Sequence, residues 1–126
     1  MAGIAANSPD LPQAGPYSHS IRAGGQIYVS GQLPIAPETG KLVDGGVAAQ
    51  TGQSLANISR VLAVSGAGLA DVVKCTVFLT DMADFATVND VYARHFPQPA
   101  PARSAFAVKA LPMGALVEIE AIAIFG

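Results

Sequence analysis

The sequence predicts an α+β fold in the order β-β-α-β-α-β-β, with two helices packed on one mixed sheet. Two stretches carry apolar residues at helical spacing, while others are β-branched runs of strand length. Gly and Pro clusters separate these stretches. A chain of 126 residues also suits one domain, residues 1–126, that buries a real core.

Residues 1–16 contain Gly3, Pro9, Pro12, Gly15 and Pro16 and read as an extended lead-in. The opening MAGIAANSPD lacks a basic segment and a long apolar run, so no secretory signal is expected and the cytoplasm is the default compartment. IRAGGQIYVSG predicts two short strands around a Gly24-Gly25 turn. The turn-rich LPIAPETGKLVDGG at 33–46 predicts a surface loop.

A helix is predicted from Val47 to Val64, because Val47, Thr51, Leu55, Ile58 and Leu62 fall on one face. Gly66 and Gly68 end it. DVVKCTVFLTD is a strand with Val73, Cys75, Val77 and Leu79 on one side and Val72, Lys74, Thr76 and Phe78 on the other. A second helix spans Met82–Phe96, with Asp81 as N-cap and Phe85, Val88, Tyr92 and Phe96 facing inward. FPQPAPARS breaks it, and PARSAFAV reads as a buried strand. The last two strands, Ala102–Ala110 and Leu116–Phe125, join at LPMG. There Pro112 and Gly114 suit a type I turn.

Composition bounds the function. Hydrophobic residues make up 51% of the chain and charged residues 13%, where about 25% charged is typical. No apolar run is long enough to cross a membrane, so the excess predicts burial against other copies of the chain. Seven scattered Lys and Arg and a net charge of −2 offer no basic stripe for nucleic acid. The lone Cys75 excludes an intrachain disulfide, fits a reducing compartment and, on an apolar strand, reads as a buried inert thiol.

Arg103 is the residue that demands a partner, since a guanidinium stays charged and is costly to desolvate alone. If LPMG joins adjacent strands with an even loop, Arg103, Ala105 and Ala107 share a face with Glu118 and Glu120. That face reads either as an internal ion pair or as a clamp for an outside anion beside a water-handling carboxylate. Ser30-Gly31 at a strand end offers backbone N–H groups to a ligand or a plain turn. Asn89 is a cap or a solvated residue, and His19 and His95 are surface or capping residues. No metal-ligand spacing, GxSxG or P-loop occurs, so no metal site is expected.

GPYS at 15–18, VSGQ at 29–32, VVKCTVFLTD at 72–81, FATVNDVYARHF at 85–96, PARS at 101–104 and VEIEAIAI at 117–124 strongly resemble the YjgF-type Rid family of reactive intermediate deaminases. The resemblance runs from about Gly15 to near the end of the chain and preserves motif order. It implies a chorismate-mutase-like fold, a barrel-like homotrimer and ligand sites at subunit interfaces. It further implies hydrolysis of 2-imino acids such as 2-iminobutanoate and 2-iminopropanoate to 2-oxo acids and ammonia, with neither metal nor organic cofactor.

By the same resemblance, Arg103 grips the substrate carboxylate and Glu118 is associated with the attacking water. Tyr17, Ser30, Gly31 and Asn89 match other pocket residues, and Ala105 stands in the pocket where many bacterial members carry cysteine. Phe106 and Ala107 bear on substrate range. Two alternatives accompany this reading: an endoribonuclease or translation inhibitor, and a non-catalytic protein that binds small carboxylates.

Overall fold

A computed structural model of the chain describes residues 2–125. Its strands are β1 (Ile4–Ala6), β2 (Ser20–Ala23), β3 (Gln26–Gln32), β4 (Val72–Leu79), β5 (Ala102–Ala107) and β6 (Val117–Ile124). The helices are α1 (Gly46–Ala63) and α2 (Phe85–His95). The strands form one mixed sheet in the order β1-β2-β3-β6-β4-β5, antiparallel throughout except where β4 and β5 run parallel. Both helices pack on one face, giving the α+β layer arrangement that the periodicities predict.

The hairpin and both helices form where expected. Gly24 and Gly25 adopt φ values of 56° and 78°, the left-handed pair that a two-residue hairpin turn requires. α1 buries Thr51, Leu55, Ile58 and Leu62 as its predicted face, widened by Ser54, Asn57 and Val61. It ends in a Schellman motif: left-handed Gly66 donates to Ala63 O and Ala67 donates to Leu62 O. Asp81 accepts from the Ala83 N–H and starts a single 3-10 turn, Met82–Asp84, from which α2 continues.

Four expectations are corrected. The lead-in is not wholly irregular, because Ile4–Ala6 pairs with β2 and extends the sheet by an edge strand. The register of β4 shifts between Val72 and Lys74, so Val72 is buried and Val73 exposed, the reverse of a simple alternation. In the LPMG turn, Met113 and Gly114 adopt left-handed φ values of 61° and 74°, which type I geometry does not hold. β5 is an edge strand with most of its side chains exposed, and not a buried strand.

The largest correction concerns the last two strands. β5 and β6 are not neighbours, since β4 lies between them. The 108–116 connection crosses the end of β4, where Val108 donates to Leu79 O and Thr80 donates to Leu116 O. LPMG is therefore one corner of a crossover and not a hairpin loop. β6 takes the central place because Val117, Ile119, Ala121 and Ala123, all nearly inaccessible, supply an inner face that must be covered on both flanks.

The 33–46 loop carries the expected turns but is pinned at its base. Asn57, itself buried on α1, donates from Nδ2 to Leu33 O at 3.0 Å and Ile35 O at 2.9 Å. An isolated bridge, Ile35 with Leu42, closes the loop. Asn57→Ala strands two buried carbonyls and is expected to lower unfolding free energy by about 2–4 kcal/mol. Urea unfolding with an unchanged m-value checks this.

Candidate functional site

Strand pairing decides which face each candidate occupies. Cys75, Val77 and Leu79 of β4 are buried beneath the helices, and their partners on β5 are Arg103, Ala105 and Ala107. Phe78 and Thr76 point the other way, and their partners on β6 are Glu118 and Glu120. Arg103 and Glu118 therefore lie on opposite faces of the sheet. The predicted shared face is overturned, because its parity argument required β5 and β6 to be adjacent.

Beside Glu118 and Glu120 lies a cavity of about 500 Å³ that also reaches Asn57 of α1. Tyr17, Ser30, Gly31, Glu118 and Glu120 line it, with Met113 from the crossover and Leu11 and Pro12 from the N-terminal segment. The β3–β6 register shifts between Val29 and Gln32, and this bulge turns the end of β3 toward the cavity. Ser30 is held by its neighbours: its hydroxyl donates to Ser18 O at 2.7 Å and its N–H to His19 O at 2.9 Å. Gly31 lies directly against Glu118, where an added Cβ would stand 2.9 Å from Oε2 and 3.0 Å from Cδ. No side chain fits there without displacing the carboxylate.

His19 holds the N-terminal wall of this cavity. It is buried, which corrects its expected surface or capping role. The Ser8 N–H donates to Nδ1 at 3.0 Å, so Nε2 carries the proton donated to Pro12 O at 2.9 Å. The imidazole is thus a neutral brace between the segment carrying Pro12 and the β2–β3 hairpin. His95 bonds Val91 O within its own helix.

Burial raises the Glu118 carboxyl above the usual carboxylate range, and the negative charge of Glu120 adds to the shift. Both effects favour the protonated carboxyl over the carboxylate.

On the opposite face, Arg103 meets α2. Its Nη1 donates to Asn89 Oδ1 at 2.7 Å. Its guanidinium carbon lies 5.4 Å from the Phe85 ring centroid and 5.0 Å from that of Tyr92. No carboxylate pairs with it: among the described residues the only ion pair is the exposed Arg60–Asp10 contact at 3.4 Å. Ala105 follows on the same face of β5 and packs at the edge of the core.

The candidates thus fall into two groups: Tyr17, Ser30, Gly31 and Glu118 at one cavity, and Arg103, Asn89 and Ala105 at the β5 edge. Sequence reasoning missed Phe85 and Tyr92 as partners of Arg103, since both also read as ordinary core residues. Their spacing with Asn89, four and then three residues on one helical turn face, was the available signal. Cys75 is buried near Tyr92, and its thiol is pushed up chiefly by burial. No cluster of three His, Cys, Asp or Glu side chains suited to a metal occurs among the described residues.

The Endoribonuclease L-PSP family model matches residues 8–125. Reactive Intermediate Deaminase A, chloroplastic, of Arabidopsis thaliana is 51% identical over 109 residues, covering 86% of this chain and 58% of that protein. The 2-iminobutanoate/2-iminopropanoate deaminase of Bos taurus is 51% identical over 112 residues, covering 89% and 82%. Among solved structures, RidA from an Antarctic Psychrobacter superposes with a TM-score of 0.88 at 43% identity, covering 91% and 93%. E. coli TdcF with bound serine gives a TM-score of 0.90 at 36% identity, covering 98% and 99%. With a matching model over nearly its whole length and relatives at half identity, the chain belongs to the Endoribonuclease L-PSP family, the YjgF/RidA group.

Proposed function

We propose that this protein hydrolyses short 2-imino acids to 2-oxo acids and ammonia, without metal or organic cofactor, as a homotrimer with sites shared between copies. The observation that carries the reading is a half-buried arginine, Arg103, that no carboxylate among the described residues neutralises. The relatives from Bos taurus and Arabidopsis, named as deaminases, suggest the reaction class.

The two half-sites explain why a shared site is needed. Arg103 and Glu118 cannot reach one small molecule within a single copy, because the sheet stands between them. A neighbouring copy whose β5 edge meets the cavity would bring its Arg103 toward the first copy's Glu118. The exposed faces of Tyr28, Phe106 and Ile124, each more than 40% accessible, favour such packing. The free Cys75 fits a reducing compartment such as the cytoplasm. Among the described residues no helix is long and apolar enough to cross a membrane.

In this mechanism the guanidinium takes the substrate carboxylate bidentately and fixes the C=N carbon over Glu118. Tyr17 and the Ser30–Gly31 backbone bound the space around the substrate. Ionised Glu118 favours the protonated, more electrophilic iminium and accepts a proton from the attacking water. The carbinolamine then expels ammonia as that proton passes to nitrogen and the hydroxyl proton passes back to Glu118, leaving the 2-oxo acid. The low count of scattered basic residues favours this reading over RNA cleavage.

Three outcomes are expected. Arg103→Ala should lower kcat/KM for iminopropanoate at least about a hundredfold while the chain still folds, with the midpoint lowered by the lost Asn89 and ring contacts. A coupled ammonia assay beside a melting curve reads both, and a wild-type rate in that variant would remove the mechanism. Gly31→Ala should displace the Glu118 carboxylate and lower kcat in the same assay while the fold survives.

Glu118 also predicts a pH dependence of stability. Its folded-state pKa is raised, so the native state binds the proton more tightly than the unfolded chain does. Stability from this group is therefore lost as pH rises, from the usual glutamate range of about 4 up through the raised folded value. Glu118→Gln removes that loss, so its stability relative to wild type should grow across this window and then level. Urea unfolding at a series of pH values checks the sign.

A further inference from the structure

We infer that Phe85 and Tyr92 are positioning residues for Arg103: with Asn89 they form a charge-free cradle on α2 that aims the guanidinium at an incoming carboxylate. This deepens the proposed reading and rests on it for the identity of the substrate.

The geometry carries it. Phe85, Asn89 and Tyr92 lie on one stripe of α2. The guanidinium carbon is within cation–π range of both ring centroids, at 5.4 Å and 5.0 Å. Asn89 Oδ1 accepts one N–H at 2.7 Å. A ring face attracts the cation without occupying its in-plane N–H edge, whereas a carboxylate would fill that edge. The cradle therefore holds the group in place and leaves its remaining donors available.

The Tyr92 hydroxyl sharpens the point. It meets no oxygen or nitrogen partner among the described residues and has only the weakly accepting Cys75 thiol beside it. The ring packs in the core and lies 4.6 Å from the Phe96 centroid as well as against Arg103, contacts that a phenylalanine keeps. Tyr92→Phe should then preserve the behaviour that Tyr92→Leu loses.

The test uses the full chain as Phe85→Leu, Tyr92→Leu and Tyr92→Phe, with iminopropanoate turnover and calorimetric binding of 2-oxobutanoate. Each Leu variant should raise KM and the 2-oxobutanoate Kd about tenfold, with a much smaller change in kcat, and Tyr92→Phe should rescue both. In the wild-type protein, NMR should find the Arg103 δ-methylene protons shifted upfield by the two rings. Folded Leu variants with wild-type KM and Kd overturn the inference. If the Leu variants do not fold, the wild-type shift decides: upfield signals support the cradle, and signals at free-arginine positions overturn it. If no imine is turned over but 2-oxobutanoate binding follows the same pattern, the cradle stands and the deaminase reading falls.

Discussion

A full positive charge on Arg103 with no acidic partner among the described residues is the constraint around which this molecule is arranged. Sheet register enforces it. Parallel pairing of β5 with β4 places Arg103 on the helix side, and antiparallel pairing of β6 with β4 places Glu118 and Glu120 on the other. Had β5 and β6 been neighbours in the matching register, the guanidinium and the carboxylates would have neutralised one another. The sheet between them prevents that.

The separation acts on the carboxylates as well. Among the described residues no cation pairs with Glu118, which instead feels burial and the charge of Glu120, both of which favour its protonated form. Gly31 permits the carboxylate to lie against β3, and the bulge beside it turns that strand end into the cavity wall. A basic group and an acid thus each lack an opposite-charge partner among the described residues, which is the electrostatic condition that the proposed shared site requires.

The supports are neutral and buried. His19 ties the N-terminal segment to the hairpin through two ring-nitrogen hydrogen bonds, and Asn57 ties the 33–46 loop to α1 through two carbonyls. These braces fix irregular backbone without adding charge near Glu118. At the crossover, Met113 holds left-handed backbone beside the same cavity. Non-glycine residues rarely adopt that conformation, and strained positions of this kind gather at functional sites.

The local elements were legible from sequence because their causes are local. Helical spacing in 47–64 and 85–96, the Gly24-Gly25 turn, the Gly66 stop and the Asp81 cap each depend on a few adjacent residues. The motif at 101–104 likewise marked Arg103 before any geometry was known. Strand adjacency was decided only by the tertiary structure. Periodicity reports which face a residue shares along its own strand, but carries no information about which strand lies beside it. The 108–116 segment was read as a hairpin corner, when it crosses β4 and lets the apolar inner face of β6 be covered on both flanks. That one long-range pairing separates Arg103 from Glu118, and no spacing within either motif encodes it.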